Sequence, residues 1–165
     1  MYNETKIAIP IFQKDKKSIL ETANDCIQKG ADILELRIDA IENPDPKQVR
    51  EIIEEINFPT IATNRVESEG GSFKGSEKDR IALLRECADV ADFVDVELAT
   101  DGLLIKSILE TGVKTIISYH NFKKTPSLSY LYEIVEEEKG IGDIAKVAVM
   151  PNNLEDTLTV LALLS

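Results

Sequence analysis

Apolar residues along this chain gather in six short runs, each followed by a longer amphipathic segment. The runs have the length of β-strands and lie at residues 6–12, 32–39, 59–65, 93–98, 114–120 and 143–150. Helical spacing of apolar positions follows at about residues 15–29, 46–57, 76–89, 101–111, 127–139 and 153–164. Strands that alternate with helices predict βαβ units and a parallel sheet.

Local signals agree with these helices. In the second helix, apolar residues from Val49 to Ile56 repeat every three or four positions among charged ones, which is typical of an amphipathic helix. Pro46 suits the first turn of the same helix. We expect helix C-termini at three glycines, Gly30, Gly112 and Gly140, because glycine is common just past the end of a helix.

Two α/β architectures contain such units, an open doubly wound sheet and a TIM (β/α)8 barrel. The runs are apolar on both faces, as strands covered by helices require, so periodicity does not choose between the two. The polar residues discriminate better, since nearly every run carries them towards its end. Asp95 and Glu97, for example, share one face of the fourth run. In a barrel, one set of alternating positions points inward and catalytic groups gather at the C-terminal ends of the strands.

Composition and charge narrow the class of protein. The chain has 165 residues, 43% hydrophobic and 30% charged, which is typical of one soluble globular domain over residues 1–165. Its formal net charge of −11 argues against a nucleic-acid partner, because phosphate backbones are bound by basic surfaces. An anionic substrate would need locally placed cations.

Targeting signals and cysteine usage indicate a compartment. No apolar run approaches the ~20 residues that cross a membrane, and residues 1–6 lack the pattern of a signal peptide. Cys26 and Cys87 are the two cysteines, each among helix-forming residues, so we expect reduced, buried thiols and a cytoplasmic protein. The single histidine has no metal-binding spacing with them, and no metal site is expected.

Lys146 is the most informative polar residue, because it interrupts the apolar run 143–150. Burial of its ammonium group is costly, and nearby cations such as Arg37 or Arg65 would favour the neutral amine further. A neutral amine is the nucleophile that forms an imine with a ketone. An equally open alternative is a lysine that reaches the surface or pairs with a strand carboxylate such as Glu35.

The only histidine, His120, ends the run 114–120 on the same face as Ser118. Histidine is the usual general acid and base near neutral pH and contributes ~10²–10⁴-fold to a proton transfer. A hydrogen-bonded histidine at a strand end is the ordinary alternative. The catalytic interpretation is favoured because a strand-buried lysine is expected on the adjacent strand.

Charged residues on the second run could form an ion-pair layer inside the fold. Glu35, Arg37 and Asp39 share one face there, and Asp39 in particular suits such a layer. For Arg37 and Arg65 we favour anion binding, since a guanidinium gains little from a dry interior without an anion to hold. The polar segment 66–78 is either an active-site loop or a plain solvent loop.

Several short motifs, taken together and in order, resemble those of type I 3-dehydroquinate dehydratases. They are Glu35-Leu36-Arg37-Ile38-Asp39, Asn64-Arg65, Glu69-Gly70-Gly71, Asp95-Val96-Glu97-Leu98, Ile117-Ser118-Tyr119-His120-Asn121-Phe122 and Asp143-Ile144-Ala145-Lys146-Val147-Ala148-Val149-Met150-Pro151. Each motif alone is weak, but the set runs through all six units. The resemblance implies a TIM-barrel lyase that dehydrates the small molecule 3-dehydroquinate to 3-dehydroshikimate.

The resemblance also implies roles for six residues, with no metal or organic cofactor. Lys146 would form an imine with the ring ketone of the substrate. His120 would move a proton and help the hydroxyl leave as water, and Glu69 would orient His120. Substrate contacts would come from Glu35, Arg37 and Arg65.

The chain departs from that family in length. Eight units are usual, and the seventh and eighth, with a further arginine and a closing loop, have no counterpart among these residues. We therefore expect a piece of a longer enzyme, with unpaired edges on the first and sixth strands and weak turnover. The alternatives are a class I aldolase-like Schiff-base enzyme and a non-catalytic remnant that binds a ligand or partner. Members of the family are often dimers, so a homodimer is one expected state.

Overall fold

The computed structural model of the protein describes residues 5–164. Residues 1–4, which hold most of the segment used for the signal-peptide prediction, and residue 165 lie outside the described part. Within that part, six strands alternate with six α-helices. The strands are β1 (Ala8–Ile11), β2 (Ile33–Arg37), β3 (Thr60–Thr63), β4 (Phe93–Glu97), β5 (Lys114–Asn121) and β6 (Ile144–Val149). The helices are α1 (Lys16–Gln28), α2 (Pro46–Ile56), α3 (Glu77–Glu86), α4 (Gly102–Leu109), α5 (Leu128–Ile141) and α6 (Leu154–Leu161).

All six predicted strands and all six predicted helices are confirmed, with bounds that differ by a few residues. The largest differences are at the C-terminal ends of α3 and α6, each three residues short of the prediction, and two strands also end early. β2 ends at Arg37, so that Asp39 lies in a short 3-10 turn, Ile38–Ala40. β3 ends at Thr63, two residues before the predicted end at Arg65.

Side-chain caps fix the start of each helix. Each capping oxygen accepts a backbone N–H of the first turn, as expected for N-cap residues; the caps are Asp15, Asp45, Ser76, Asp101, Ser127 and Asn153. Gly30 and Gly112 follow α1 and α4 with positive φ, as predicted. The predicted helix end at Gly140 is wrong, because α5 continues to Ile141, which packs against the hydrophobic core.

The strands pair in chain order, and every pair is parallel. Side chains that are neighbours in register share a face of the sheet. One such row crosses β2, β3 and β4 with Arg37, Thr63 and Asp95. A second crosses β4, β5 and β6 with Glu97, Ser118 and Lys146. We call the face that carries both rows the inner face.

The sheet is curled, with the inner face concave. Lys146 on β6 donates to Glu35 on β2 at 3.2 Å, although four strand spacings separate the two strands. In a flat sheet four spacings would amount to roughly 19 Å. Six βα units of a barrel-like fold are thus present, in agreement with the predicted TIM-barrel class.

The two faces of the sheet are packed differently. Outer-face residues such as Leu36 and Val96 are fully buried beneath the helices. The inner face is apolar in its lower layer, where Ile61, Phe93 and Ile116 form a small cluster at the N-terminal ends of the strands. Above that layer the inner face is polar. The site therefore lies at the C-terminal ends of the strands.

The final unit is less covered than the others. Every residue of β6 is half-buried, and α6 exposes three leucines on one side, Leu154, Leu158 and Leu161. In the described part of the chain, no helix combines the length and apolar character needed to cross a membrane.

Candidate active site

Lys146 lies on the inner face with its amine between two carboxylates. Its Nζ is 2.9 Å from Oδ2 of Asp95 and 3.2 Å from Oε1 of Glu35, which also accepts the hydroxyl of Thr63. Of the two cations expected near Lys146, Arg65 lies beyond Asp95, which holds both side chains. The pairing with Glu35, which the sequence left open, is present. The lysine side chain as a whole is 30% exposed.

Asp95 is the most buried member of this group. Its Oδ1 accepts the Ser118 hydroxyl at 2.7 Å and lies 2.7 Å from Nη2 of Arg65. Burial alone would raise the pKa of Asp95, but the charges of Arg65 and Lys146 outweigh burial and hold the pKa below its ordinary value. Asp95 therefore keeps a negative charge beside Lys146.

Arg65 is buried among groups of β4 and β5. Its Nη1 lies 2.9 Å from Oε1 of Glu97 and donates to Ser118 Oγ at 2.7 Å, while Nη2 holds Asp95. Burial would lower the pKa of the guanidinium, but Asp95 and Glu97 outweigh it and raise the pKa. Arg65 thus already holds two internal anions, because the curled sheet brings two carboxylates to it, and its predicted contact with the substrate stays a prediction.

Arg37 is paired in the same manner. Asp39 accepts Nε at 2.8 Å and Nη2 at 2.7 Å, and the guanidinium lies over the ring of Phe12, 4.3 Å from its centroid. Asp39 also accepts the backbone N–H of Arg65 at 3.2 Å and of Ser72 at 2.9 Å. The ion-pair interpretation of Asp39 is thus confirmed, and Asp39 joins β2 to the loop after β3.

His120 pairs with Glu69. Nδ1 of the imidazole is 2.9 Å from Oε2 of Glu69, and both side chains are largely buried. With its proton on Nδ1, the ring donates to Glu69 and keeps a lone pair on Nε2 for proton transfer. The ring is also stacked on Phe122, with planes 8° apart and centroids at 6.2 Å.

Two glycines shape the loop that brings Glu69 to His120. Gly70 has a φ of 77°, a left-handed conformation that disfavours other residues. A Cβ on Gly71 would stand 1.9 Å from the carbonyl oxygen of Arg65, so the two backbone segments can meet only without a side chain. The segment 66–78 therefore belongs to the site, as one of the two interpretations predicted.

All six predicted site residues lie at this end of the sheet, in three groups. Lys146 and Glu35 form the first, which Asp95 joins to Arg65. His120 and Glu69 form the second, and Arg37 with Asp39 forms the third. Sequence reasoning assigned no role to Asp95, Glu97, Ser118 or Arg80. The alternation along β4 did place Asp95 and Glu97 on one face, but it gave neither a partner. Nothing in the sequence around Arg80 indicated that this helical arginine is buried beside the site.

Two buried ionisable groups lie outside these contacts. Glu138 on α5 is fully buried, and neither carboxylate oxygen has a hydrogen-bond partner among the described residues. Burial raises its pKa to about 8, against a weak opposing effect of the Lys146 backbone N–H. Burial also raises the pKa of the Cys87 thiol to about 12, whereas Cys26 is half-buried rather than buried as predicted. Across residues 5–164, no His, Cys, Asp and Glu side chains are grouped to hold a metal ion.

Comparisons with known proteins agree on one family. The family model described as type I 3-dehydroquinase matches residues 7–165. A 3-dehydroquinate dehydratase of Methanobrevibacter smithii is 61% identical over 165 residues, covering all of this chain and 74% of the relative. One of Methanothermobacter thermautotrophicus is 53% identical over 161 residues, covering 98% of this chain and 73% of the relative.

A solved structure has the same fold. The type I 3-dehydroquinate dehydratase of Clostridium difficile, crystallised with covalently modified comenic acid, superposes with a TM-score of 0.88 at 32% identity. The match covers 95% of this chain and 68% of that one. The chain spans about three quarters of the length of the two Methanobrevibacter and Methanothermobacter relatives.

Proposed function

The chain belongs to the type I 3-dehydroquinase family, and on that premise we propose that Lys146 forms the imine through which 3-dehydroquinate loses water to give 3-dehydroshikimate. One observation carries this assignment. Lys146 and His120 lie on adjacent parallel strands of the inner face, where His120 is the register partner of Ala148, two residues beyond the lysine. A nucleophile and a base can thus act on neighbouring atoms of one ring.

Lys146 acts first. Its ammonium group loses a proton to solvent, and the neutral amine adds to the ring ketone. Loss of water and uptake of one proton from solvent then give a protonated imine. Asp95 and Glu35 hold the nitrogen on the inner face before the attack and then lie beside the iminium charge. That cationic nitrogen draws electrons from the adjacent carbon, so a proton on that carbon becomes acidic.

His120 and Glu69 carry the proton steps. The free Nε2 of His120 removes the proton next to the imine carbon, and the electron pair moves into the iminium to give an enamine. The imidazolium is stabilised by the Glu69 carboxylate at 2.9 Å. It returns the proton to the departing hydroxyl, which leaves as water. Hydrolysis of the remaining imine releases the product and restores the amine of Lys146.

The substrate contacts come from three side chains around the lysine. Glu35 accepts a ring hydroxyl, and Arg37 and Arg65 hold hydroxyl oxygens and fix the ring. Arg37 is the more accessible of the two arginines, since its side chain is 10% exposed against 3% for Arg65. We further propose a cytoplasmic protein that forms a homodimer, without a nucleic-acid or membrane partner.

Trapping of the imine tests this function. The protein would be incubated with 3-dehydroquinate, with and without borohydride, and its mass measured before and after proteolysis. We expect a reduced adduct on Lys146 in the wild-type protein and none in Lys146→Ala. His120→Ala should still form the adduct while dehydration is lost.

Lys139→Ala is the matched control, because Lys139 is an exposed lysine on α5 with a surface ion pair to Glu136. It should behave as the wild type does. Dehydration by Lys146→Ala, or an adduct on another lysine, would refute the proposal. An adduct with a sugar phosphate but none with 3-dehydroquinate would favour an aldolase-like enzyme instead.

A further inference from the structure

A chain of alternating charges leads from the outside of the sheet to Lys146. It begins at Glu77 on α3 and passes through Arg80, Glu97, Arg65 and Asp95 before it ends at Lys146. Each neighbouring pair lies between 2.5 and 2.9 Å apart. The last three members belong to the proposed site. Arg80 belongs to a helix, and the proposed reaction gives it no direct role.

Arg80 is held as firmly as any group in the site. Its side chain is 0% exposed. Nη1 is 2.5 Å from Oε2 of Glu97 and donates to the carbonyl of Asn64 at 3.0 Å. Nη2 and Nε hold Glu77, and Nη2 also donates to Thr100 Oγ1 at 2.9 Å. The guanidinium is thus fixed by α3, the end of β3 and the segment after β4.

Glu97 transmits the position of Arg80 into the site. Its two carboxylate oxygens are divided, with Oε2 on Arg80 and Oε1 on Arg65 and on the N–H of Val66. The guanidinium of Arg65 likewise pairs with both Glu97 and Asp95. The carboxylate of Asp95 in turn pairs with both Arg65 and Lys146. A charge removed at one end therefore changes how each later group is shared.

We propose that Arg80 is a positioning residue that sets the charge balance around Lys146 through Glu97, Arg65 and Asp95. The inference rests on the proposed function, since it concerns the amine that would form the imine. Without Arg80, both carboxylate oxygens of Glu97 can accept from Arg65. Glu97 then draws the Arg65 guanidinium away from Asp95. Asp95 then holds Lys146 more strongly, and the amine is freed only at higher pH.

The charges around Lys146 predict the same direction of effect when Arg80 is lost. The charged groups around the Lys146 amine come from three elements, namely Glu35 on β2, Arg65 after β3 and Asp95 on β4. The buried carboxyl of Glu138 on α5 lies at the Lys146 backbone and keeps its proton below about pH 8. Loss of a buried positive charge at the far end of the chain makes this surrounding more negative and favours the ammonium. Loss of the negative charge of Glu77 has the opposite effect.

The reactivity of Lys146 towards acetic anhydride, followed from pH 6 to 10 by peptide mass spectrometry, tests the proposal without substrate. We expect Arg80→Met to raise the pH of half-maximal labelling by at least about 0.5 unit and Arg80→Lys to leave it near the wild-type value. Glu77→Gln should lower it. Glu86→Gln, on the same helix but outside the chain of ion pairs, is the matched control and should not move it.

The proposal requires Arg80→Met and Glu77→Gln to shift the pH of half-maximal labelling in opposite directions. Glu77 has a 41% exposed side chain, so its variant remains a readable test if Arg80→Met does not fold. Unchanged labelling in Glu77→Gln, or shifts of equal sign in both variants, would overturn the proposal. Because labelling needs no substrate, a wild type that forms no imine would refute the proposed function alone.

Discussion

Nδ1 of His120 and Oε2 of Glu69 are 2.9 Å apart, although the two residues lie on different segments of the site. His120 is near the end of β5, and Glu69 closes a 3-10 turn, Glu67–Glu69, in the loop after β3. The loop thus decides which nitrogen of the histidine carries the proton and how well the imidazolium is stabilised.

Replacement of Glu69 by glutamine should slow dehydration by roughly 10- to 100-fold. The amide keeps a hydrogen bond to Nδ1 but gives no charge to stabilise the imidazolium that forms during proton removal. Steady-state kinetics should show the loss in kcat with little change in KM, and borohydride should still trap the adduct on Lys146. Glu67→Gln, an exposed carboxylate two residues away in the same turn, is the control and should retain its turnover.

Asp39 is expected to matter for stability and substrate affinity together. It accepts four hydrogen bonds, two from Arg37 and one each from the N–H groups of Arg65 and Ser72. In Asp39→Asn the amide N–H₂ replaces an oxygen that accepts two of these bonds, so it meets two donors and the charge is lost. The unfolding free energy should therefore fall by about 3 kcal/mol. KM should rise, because Arg37 and the loop are released.

Asp25→Asn provides the comparison for Asp39. Asp25 also pairs with a cation, but its partner Lys29 is exposed, and surface pairs contribute about 0–1 kcal/mol. The unfolding free energy in urea should therefore be clearly lower for Asp39→Asn than for Asp25→Asn. Equal stabilities would mean that the buried network around Asp39 contributes no more than a surface pair.

Gly71 should tolerate no side chain. An alanine Cβ would lie 1.9 Å from the carbonyl oxygen of Arg65, a backbone atom that cannot turn aside. Gly71→Ala should therefore push the loop away from Arg65 and reduce kcat and stability, the latter by roughly 1–3 kcal/mol. Gly140→Ala is the matched change in α5, where nothing lies within 4 Å of the new Cβ, and it should be neutral or stabilising by up to about 1 kcal/mol. Equal losses would contradict this account.

The sequence predicts the order of elements well, because apolar runs of strand length and helical spacing are local properties. It fails where tertiary contacts decide. The end of α5 was misplaced at Gly140 because Ile141 gains burial by extending the helix. The partners of Arg65 were not assigned, since which carboxylates meet it depends on the curl of the sheet. Arg80 was passed over because an arginine in an amphipathic helix is usually on the surface.

Glu138 illustrates the same limit, because it lies in the acidic run Glu136-Glu137-Glu138 and has no local sign of burial. The helix turns its side chain into the protein, where burial raises its pKa from 4.5 to about 8. The sign of its effect on stability follows. Between those values the unfolded chain carries a carboxylate while the folded chain keeps the proton, so unfolding releases a proton. Stability from this group is full below about pH 4.5 and is lost as pH rises towards 8.

Glu138→Gln removes this dependence while it keeps the shape of the side chain. The variant should match the wild type in urea unfolding at pH 5 and exceed it at pH 8, with the difference growing by up to about 1.4 kcal/mol per pH unit. Glu137→Gln, the exposed neighbour, should follow the wild type throughout. Parallel curves for wild type and Glu138→Gln would show that Glu138 is ionised in the folded protein. That result would also place a negative charge next to the β6 backbone at Lys146, where the proposed chemistry takes place.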